Sequence, residues 1–433
     1  MSNQKSKIRL QSPTGIHDIL ENEQLYFDKV IKVVKQSALA YNFSKITTPI
    51  LEYVEIFEKS TGATSDIVEK EMYVLKTKGG DDLCLRPEFT PGVVRAYLQH
   101  GMSSLPKPVK LYSIGPLFRH EKPQSGRYRQ FHQFNFEIFG VNDPIVDAQT
   151  IQMFYNILND LKIKDLCVHV NSIGCSECRP NYRKALLRYL KSKEKFLSSD
   201  SQKRMKKNPL RILDSKDPKD IEIVQNAPQV VDFLCEECHG HLKNVLEYLD
   251  EINLPYFLNS RLVRGLDYYT RTVFEIVQKN KDGVISSALI GGGRYDNLIK
   301  NMGGPETPAF GGAGGIERII LTIKDQNKGQ ELSNKETKFE VFLAPLGESA
   351  KKKALSLFEE LRKEKITVAE SFSKDSLKVQ LGMASKLGSQ YALILGHREV
   401  LDNKIIIRDM ANQKQKEVDL DKIVKELKKL LKK

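Results

Sequence analysis

Apolar and polar residues alternate from Phe131 to Phe139, which predicts a half-buried strand. Phe134, Phe136 and Ile138 fall on one face; Gln133, Asn135 and Glu137 fall on the other. A strand that buries aromatics on one side and aligns amides and a carboxylate on the other makes the floor of a polar pocket. Leu111–Arg119 reads as its partner strand, and the loop Glu121–Arg129, with Pro123 and Gly126, joins the two. Apolar residues at helical spacing predict an amphipathic helix over Asn22–Tyr41. Ile46–Glu52 reads as a strand interrupted by Pro49, and proline confines such a strand to an edge or an interface. Met72–Leu85 predicts a hairpin turning at Lys78–Asp82. Thr90 is placed to cap a helix whose first residue is Pro91. Leu266–Ile276 is rich in β-branched and aromatic residues and reads as a strand, on which Tyr268 and Tyr269 would point to opposite faces.

Asp325–Lys338 is polar but for Leu332 and reads as a linker. Beyond it the period changes. Val341–Ala344, Thr367–Ala369, Tyr391–Leu395 and Lys404–Arg408 read as strands; Ser349–Lys365, Leu377–Leu387 and the basic Asp419–Leu431 read as helices. Alternating β and α with apolar strands predicts one small domain around a mixed, largely parallel sheet.

Length and composition narrow the classes. A chain of 433 residues, 40% apolar and 28% charged, holds two or three globular domains. Lys and Arg exceed Asp and Glu by 68 to 55, a net charge of +13. That excess suits an anionic partner such as nucleic acid; membrane surfaces and lysine-rich proteomes give it too. The start MSNQKSKIRL lacks the apolar segment of a signal peptide, and no run approaches the roughly 18 apolar residues of a membrane span. A cytoplasmic protein is expected.

Four of the six cysteines form two C-x-x-C pairs, Cys175/Cys178 and Cys235/Cys238. In a reducing compartment this two-plus-two spacing reads as a structural four-thiolate zinc site, with buried free thiols as the alternative and His239 and His241 as spare ligands. The pairs sit in a lysine-rich stretch, Val168 to about Pro255, that looks like a helical insertion. Its Lys184, Arg188, Lys191, Lys193, Lys195, Lys203, Arg204, Lys206 and Lys207 would either contact phosphates or form a solvated face. Arg119, Arg127 and Arg129, with Lys122, stand where an anion would meet planar, permanently charged donors. An ordinary hairpin with a solvated basic turn accounts for the same charges. The glycine clusters in Leu289–Gly304 and Phe310–Ile319 read as turns that let backbone approach a phosphate or adenine.

Particular residues sharpen these readings. F-R-x-E from Phe118, then R-Q-F-x-Q-x-x-x-E-x-F-G from Arg129 to Gly140, resembles the second signature motif of class II aminoacyl-tRNA synthetases in its histidyl form. R-G-L-D-Y-Y from Arg264 to Tyr269 matches a signature of the histidyl-tRNA synthetase family, and G-I-E-R (Gly315–Arg318) is similar to the third class II motif. L-R-P-E-x-T (Leu85–Thr90) resembles the segment that holds the α-amino group, and Ile46–Glu52 resembles the first motif, which builds a homodimer interface. P-T-G-I-H-D (Pro13–Asp18) is a weaker match, with Thr14 and Ile16 off pattern. Phe89 replaces a usual glycine, and Gly312 and Gly314 replace larger apolar residues, which predicts looser packing of the following helix. His397 sits where an acidic residue is common.

The resemblance covers nearly all of 1–433 and implies the architecture. An α+β catalytic domain of class II type with an antiparallel sheet would span 1–324, with a mainly helical insertion at about 171–255. A linker at 325–338 would lead to an α/β anticodon-binding domain at 339–433. It also implies the reaction: histidine and ATP give histidyl-adenylate and pyrophosphate, and the 3′-terminal ribose of the histidine tRNA takes the acyl group. By the match, Arg119 and Arg264 bracket the α-phosphate as the catalytic pair. Arg127 and Arg318, with Arg119 and Glu121, bind ATP and its outer phosphates, which magnesium bridges. Glu88, Thr90, Gln133, Glu137, Tyr268, Tyr269 and Tyr295 bind histidine, Glu137 and Tyr269 pairing with the imidazole nitrogens. Two rivals share the motifs in part. A synthetase-like regulatory subunit of histidine biosynthesis typically lacks R-G-L-D-Y-Y and the C-terminal domain. A class II synthetase for another amino acid does not explain Glu137 with Tyr269.

Overall fold

The computed structural model describes residues 10–62, 65–279, 288–327 and 339–432. The chain divides into two compact units, Met1–Leu332 and Ser333–Lys433. The segment read as a linker begins inside a helix that runs to Gln326, and its residues 328–338 lie outside the described residues.

The strands of the larger unit are β1 (Ser44–Lys45), β2 (Leu51–Tyr53), β3 (Tyr73–Lys76), β4 (Asp82–Leu85), β5 (Val109–Phe118), β6 (Gln130–Phe139), β7 (Leu166–Ser172), β8 (Tyr256–Leu258), β9 (Thr270–Gln278), β10 (Ile290–Arg294) and β11 (Ala309–Gly315). Eight of them form one sheet in the order β1-β5-β6-β11-β10-β9-β7-β8, and β2-β4-β3 form a small second sheet. The six central strands run antiparallel to one another; the outer pairs β1/β5 and β7/β8 are parallel. The helices are α1 (Glu21–Ala40), α2 (Val54–Thr61), α3 (Thr90–Gln99), α4 (Pro144–Asp160), α5 (Cys178–Lys193), α6 (Ser199–Lys207), α7 (Pro218–Val224), α8 (Glu236–Glu251), α9 (Leu298–Asn301) and α10 (Ile316–Gln326).

One face of the sheet carries the core. Phe134 and Phe136 of β6, Phe274 of β9 and Phe310 of β11 pack against apolar residues of α1, α4, α8 and α10. The alternation of β6 dictates this: its even-numbered aromatics go under the helices, and its polar residues are left on the opposite face.

Four expectations are corrected. Ile46–Glu52 is not one strand. Pro49 cannot donate to a ladder, so pairing stops after Lys45 and resumes at Leu51. The carbonyls of Thr48 and Pro49 accept instead from the Arg86 guanidinium, at 2.8 and 3.4 Å. Thr90 does not cap α3, because its hydroxyl donates to the Glu137 carboxylate at 2.6 Å. Tyr268 and Tyr269 precede β9 and lie in a turn, so the opposite-face rule for strands does not govern them. The glycines of β10 and β11 are strand residues rather than turns, paired from Ile290–Gly314 to Arg294–Phe310.

Nor do those glycines loosen the structure. A Cβ on Gly312 would lie 2.8 Å from the Phe154 ring, and one on Gly314 would collide with the Phe134 ring. The aromatic rings fill the space the missing side chains leave. Gly314→Ala should therefore overpack this face and destabilise the larger unit by about 1–3 kcal/mol. Urea unfolding measures this, and an unchanged midpoint would contradict the account.

The smaller unit comprises β12 (Val341–Pro345), α11 (Glu348–Lys363), β13 (Val368–Glu370), α12 (Leu377–Lys386), β14 (Tyr391–Leu395), α13 (His397–Leu401), β15 (Lys404–Asp409), β16 (Gln415–Asp419) and α14 (Ile423–Leu431). Its sheet has the order β13-β12-β14-β15-β16. Two pairings are parallel and two antiparallel, so the sheet is mixed but not largely parallel. The short loop between β15 and β16 permits only an antiparallel hairpin. Strand β16 escapes the hydrophobic pattern because only Val418 of its five residues is buried.

Candidate active site

The polar face of the large sheet floors a cleft of about 470 Å³ within the larger unit. Its lining includes Glu88, Thr90, Arg119, Glu121, Arg127, Gln133, Arg264, Tyr268, Tyr269, Tyr295 and Arg318. Of the residues singled out for histidine and ATP, Glu137 alone is not on that lining. It lies just beneath it, bonded to Thr90, Asn135 and Tyr295, which are.

The carboxylate end of the cleft is built on β6 and β11. Glu137 faces Gly311 across the ladder, and the missing side chain there is what makes room for its carboxyl group. Three donors converge on Glu137: the hydroxyl of Thr90 at 2.6 Å, the amide of Asn135 at 2.9 Å, and the hydroxyl of Tyr295 at a shorter separation. Tyr268 donates to Glu88 at 3.0 Å, and the other oxygen of Glu88 has no partner among the described residues. The rings of Tyr268 and Tyr269 stand 4.6 Å apart, and both line the cleft, against the expectation that one would pack away from it. Phe89, in the place of a glycine, is buried under the Arg86 guanidinium, 4.5 Å from ring centroid to Cζ.

Burial pushes the carboxyl groups of Glu88 and Glu137 from their ordinary 4.5 up to about 7, the hydrogen bonds and nearby arginines offsetting only part of the desolvation. Unfolded, each would release its proton near 4.5. Between that pH and about 7 the folded chain holds protons that the unfolded chain has lost, so these groups make stability fall as pH rises through this window. Glu88→Gln removes its share. From pH 5 to pH 8 the wild-type unfolding free energy should fall by about 2.5 kcal/mol more than the variant's. Equal slopes in urea unfolding at the two pH values would contradict the raised pKa.

The other end is cationic. Arg119 extends from the end of β5, donates to the Pro87 carbonyl at 2.9 Å and lies 3.9 Å from Glu121. Arg127 pairs with Glu121 at 3.2 Å. Arg318, on the first turn of α10, is anchored to the carbonyls of Ala288 at 3.0 Å and Gly126 at 3.3 Å. Arg264 forms a close ion pair with Glu275 of β9, its Cζ lies 5.7 Å from the Tyr269 centroid, and its Nε has no partner among the described residues. Arg129 departs from the expected cluster: it is bound to the carbonyls of Glu121 at 3.2 Å and Thr14 at 3.4 Å, away from the cleft.

Several further residues line the cleft or support it. Alternation places Asn135 on the polar face of β6, and the structure adds its role as a donor to Glu137. Glu275 sits in the alternating run R-T-V-F-E-I, where its charge on a strand was the only signal. Glu71 and Arg211 come from segments far apart in the chain and carry no local mark. The lysines of the insertion are exposed, whereas its Arg204 reaches the cleft.

Known proteins resemble the chain along its length. The family model of histidyl-tRNA synthetase matches residues 15–319, and that of an anticodon binding domain matches residues 340–430. The chain is 44% identical to a histidine–tRNA ligase of Aquifex aeolicus, over 96% of this chain and all of that one. It is likewise 44% identical to a histidine–tRNA ligase of Dehalococcoides mccartyi, over 97% of this chain and 99% of the relative. Among solved structures, apo histidyl-tRNA synthetase of S. aureus superposes with a TM-score of 0.79 at 32% identity, covering 97% of this chain and all of that one. With likeness of this degree along its whole length, the chain belongs to the histidyl-tRNA synthetase family.

Proposed function

We propose that the chain is a histidine–tRNA ligase: it joins histidine to ATP as histidyl-adenylate, releases pyrophosphate, and transfers histidine to the 3′ end of its tRNA. The observation that carries this reading is the division of one cleft into a buried carboxylate end and an arginine end. The histidine α-ammonium meets Glu88, with Thr90 and Gln133 beside it. The imidazole nitrogens meet Glu137 and Tyr269, and Tyr268 and Tyr295 hold the two carboxylates in place. A reader of buried polar groups rejects side chains that leave it unpaired by factors on the order of 10⁴.

The histidine carboxylate attacks the α-phosphate between Arg119 and Arg264, and the electron pair of the breaking bond leaves on pyrophosphate between Arg127 and Arg318. No protein nucleophile is needed; positioning and charge neutralisation carry the step. Magnesium, which favours oxygen ligands and carries charge on the ATP phosphates, suits the carboxylates of Glu121 and Glu71 on the same wall. The Glu71 carboxyl is raised by burial and then by Glu121, a pairing of acids that a hard cation relieves.

The tRNA is the anionic partner of the basic chain, engaged by the smaller unit and by the lysines of the insertion. A second copy of the chain is the partner of the Ile46–Glu52 region, where Ile50, Leu51 and Tyr53 are 42%, 45% and 52% exposed, a concentration of apolar surface that suits an interface. Among the described residues no helix is long and apolar enough to cross a membrane; the cytoplasm, where tRNA is charged, is the compartment that suits this function.

Pyrophosphate exchange into ATP tests the reading, with each standard amino acid in turn and magnesium present. Exchange with histidine alone is expected. No exchange with any of them, from folded protein, would overturn it.

A further inference from the structure

The two cysteine pairs lie outside the cleft, and the proposed reaction does not use them. Cys178 opens α5 with Cys175 one turn ahead of it, and Cys235 caps α8 with Cys238 in its first turn. Sequence separates the pairs by 60 residues, yet all four Sγ atoms lie within 4.8 Å of one another. Cys175 Sγ is 3.6 Å from Cys178 Sγ and 3.9 Å from Cys235 Sγ. A disulfide needs about 2.05 Å. Four thiolates arranged tetrahedrally at about 2.3 Å from zinc stand about 3.8 Å apart. The two spacings from Cys175 match the second arrangement.

The surroundings suit thiolates. The backbone N–H of Glu177 donates to Cys175 Sγ at 3.4 Å and that of Cys235 to Cys178 Sγ at 3.0 Å, and both pairs sit at helix N-termini, where negative charge is favoured. The nearby histidines are not part of the set. His241 is committed to Asp147 at 2.8 Å, and His239 is exposed.

The same loops grip the backbone that follows the two tyrosines. Arg179, adjacent to Cys178, donates to the Tyr269 carbonyl in a close contact and to the Ile173 carbonyl at 3.4 Å. The Arg271 N–H donates to the Gly174 carbonyl at 2.9 Å, and the Ile173 N–H donates to the Arg271 carbonyl at 2.8 Å. The Arg271 guanidinium donates to Glu237, between Cys235 and Cys238, at 2.6 Å. Arg271 has φ +48°, a left-handed conformation for a non-glycine residue that surrounding contacts must hold. Tyr269 to Arg271 are thus bound on both sides by residues neighbouring the four cysteines.

We propose that Cys175, Cys178, Cys235 and Cys238 bind one zinc ion, and that this ion positions the Tyr268–Tyr269 segment and so sets the affinity for histidine. The second half rests on the proposed reading of those tyrosines as histidine-binding; the first half does not. Arg179 is then a positioning residue that links the ion to the pocket.

Elemental analysis of the full chain, purified without added zinc, should find one zinc per chain, and cobalt exchanged for it should give thiolate-to-cobalt charge-transfer absorption. Removing zinc with a chelator should raise KM for histidine in pyrophosphate exchange by about 10- to 100-fold, with KM for ATP unmoved and zinc restoring the original value. Arg179→Ala should keep the zinc and reproduce the rise, which serves as the test if the metal-free chain unfolds. Metal-free protein with four freely titrating thiols, or with disulfides, would overturn the site. Zinc whose loss and an Arg179→Ala change that both leave KM for histidine unchanged would overturn the positioning role. Failure of the wild-type chain to exchange with histidine would count against the reading of the pocket, while the zinc stoichiometry would still be read on its own.

Discussion

Arg264→Ala should lower the rate of histidine-dependent pyrophosphate exchange by about 10²–10³, the loss typical of removing one preorganised charge stabiliser. Its guanidinium is held before any substrate arrives. Glu275 fixes one side through a close ion pair, and the Tyr269 ring lies against it. Gly291 gives it room, since a Cβ there would stand 2.5 Å from Arg264 Nη1. A cation so fixed needs no reorganisation as charge gathers on the α-phosphate, so its contribution falls on the transition state. The loss should therefore appear in kcat, with KM for histidine little changed. Arg264→Lys should recover little, because an ammonium cannot keep the Glu275 contact and present a second planar donor pair at once. A loss below about tenfold, far short of that range, would remove Arg264 from its role.

What could be read from the chain divides along physical lines. Period carried the strands and helices that bury one face, such as β6 with Phe134 and Phe136 or α1 with Val30 and Val34. It failed at β16, where one buried valine makes no pattern, and at Ile46–Glu52, where residues 46–50 belong to no strand. Local rules erred where a distant partner competed. Thr90 has the chemistry of a cap, but a buried carboxylate in need of donors outbids the N–H groups at the start of α3. Glycines 312 and 314 look loosening in a list of letters, because the rings of Phe154 and Phe134 that occupy their space come from other elements. Glu88, Arg119, Glu121, Arg127, Arg264 and Arg318 of the cleft were visible through the family resemblance. Glu275 and Arg211 were not, because only the folded chain brings them to Arg264 and to Asp66.

Glu137→Gln should weaken histidine binding by about 10- to 100-fold and leave ATP binding intact, as expected for losing a hydrogen bond to a charged group. The lone pairs of the carboxylate decide the effect. A carboxylate accepts at about four lone-pair sites. Thr90, Asn135 and Tyr295 occupy three of them, which leaves one for an imidazole N–H. Glutamine keeps the shape but offers one carbonyl oxygen and two N–H donors. Its oxygen cannot serve the three resident donors, and its amide nitrogen would point donors at donors. The site then has nothing left to accept from the imidazole, and Tyr269 faces the ring alone. Titration calorimetry with histidine, and separately with ATP, reads both arms. ATP is held at the arginine end, so its Kd should not move. Unchanged histidine affinity would take Glu137 out of the pocket, and an equal loss for ATP would mean that the substitution had disturbed the cleft as a whole.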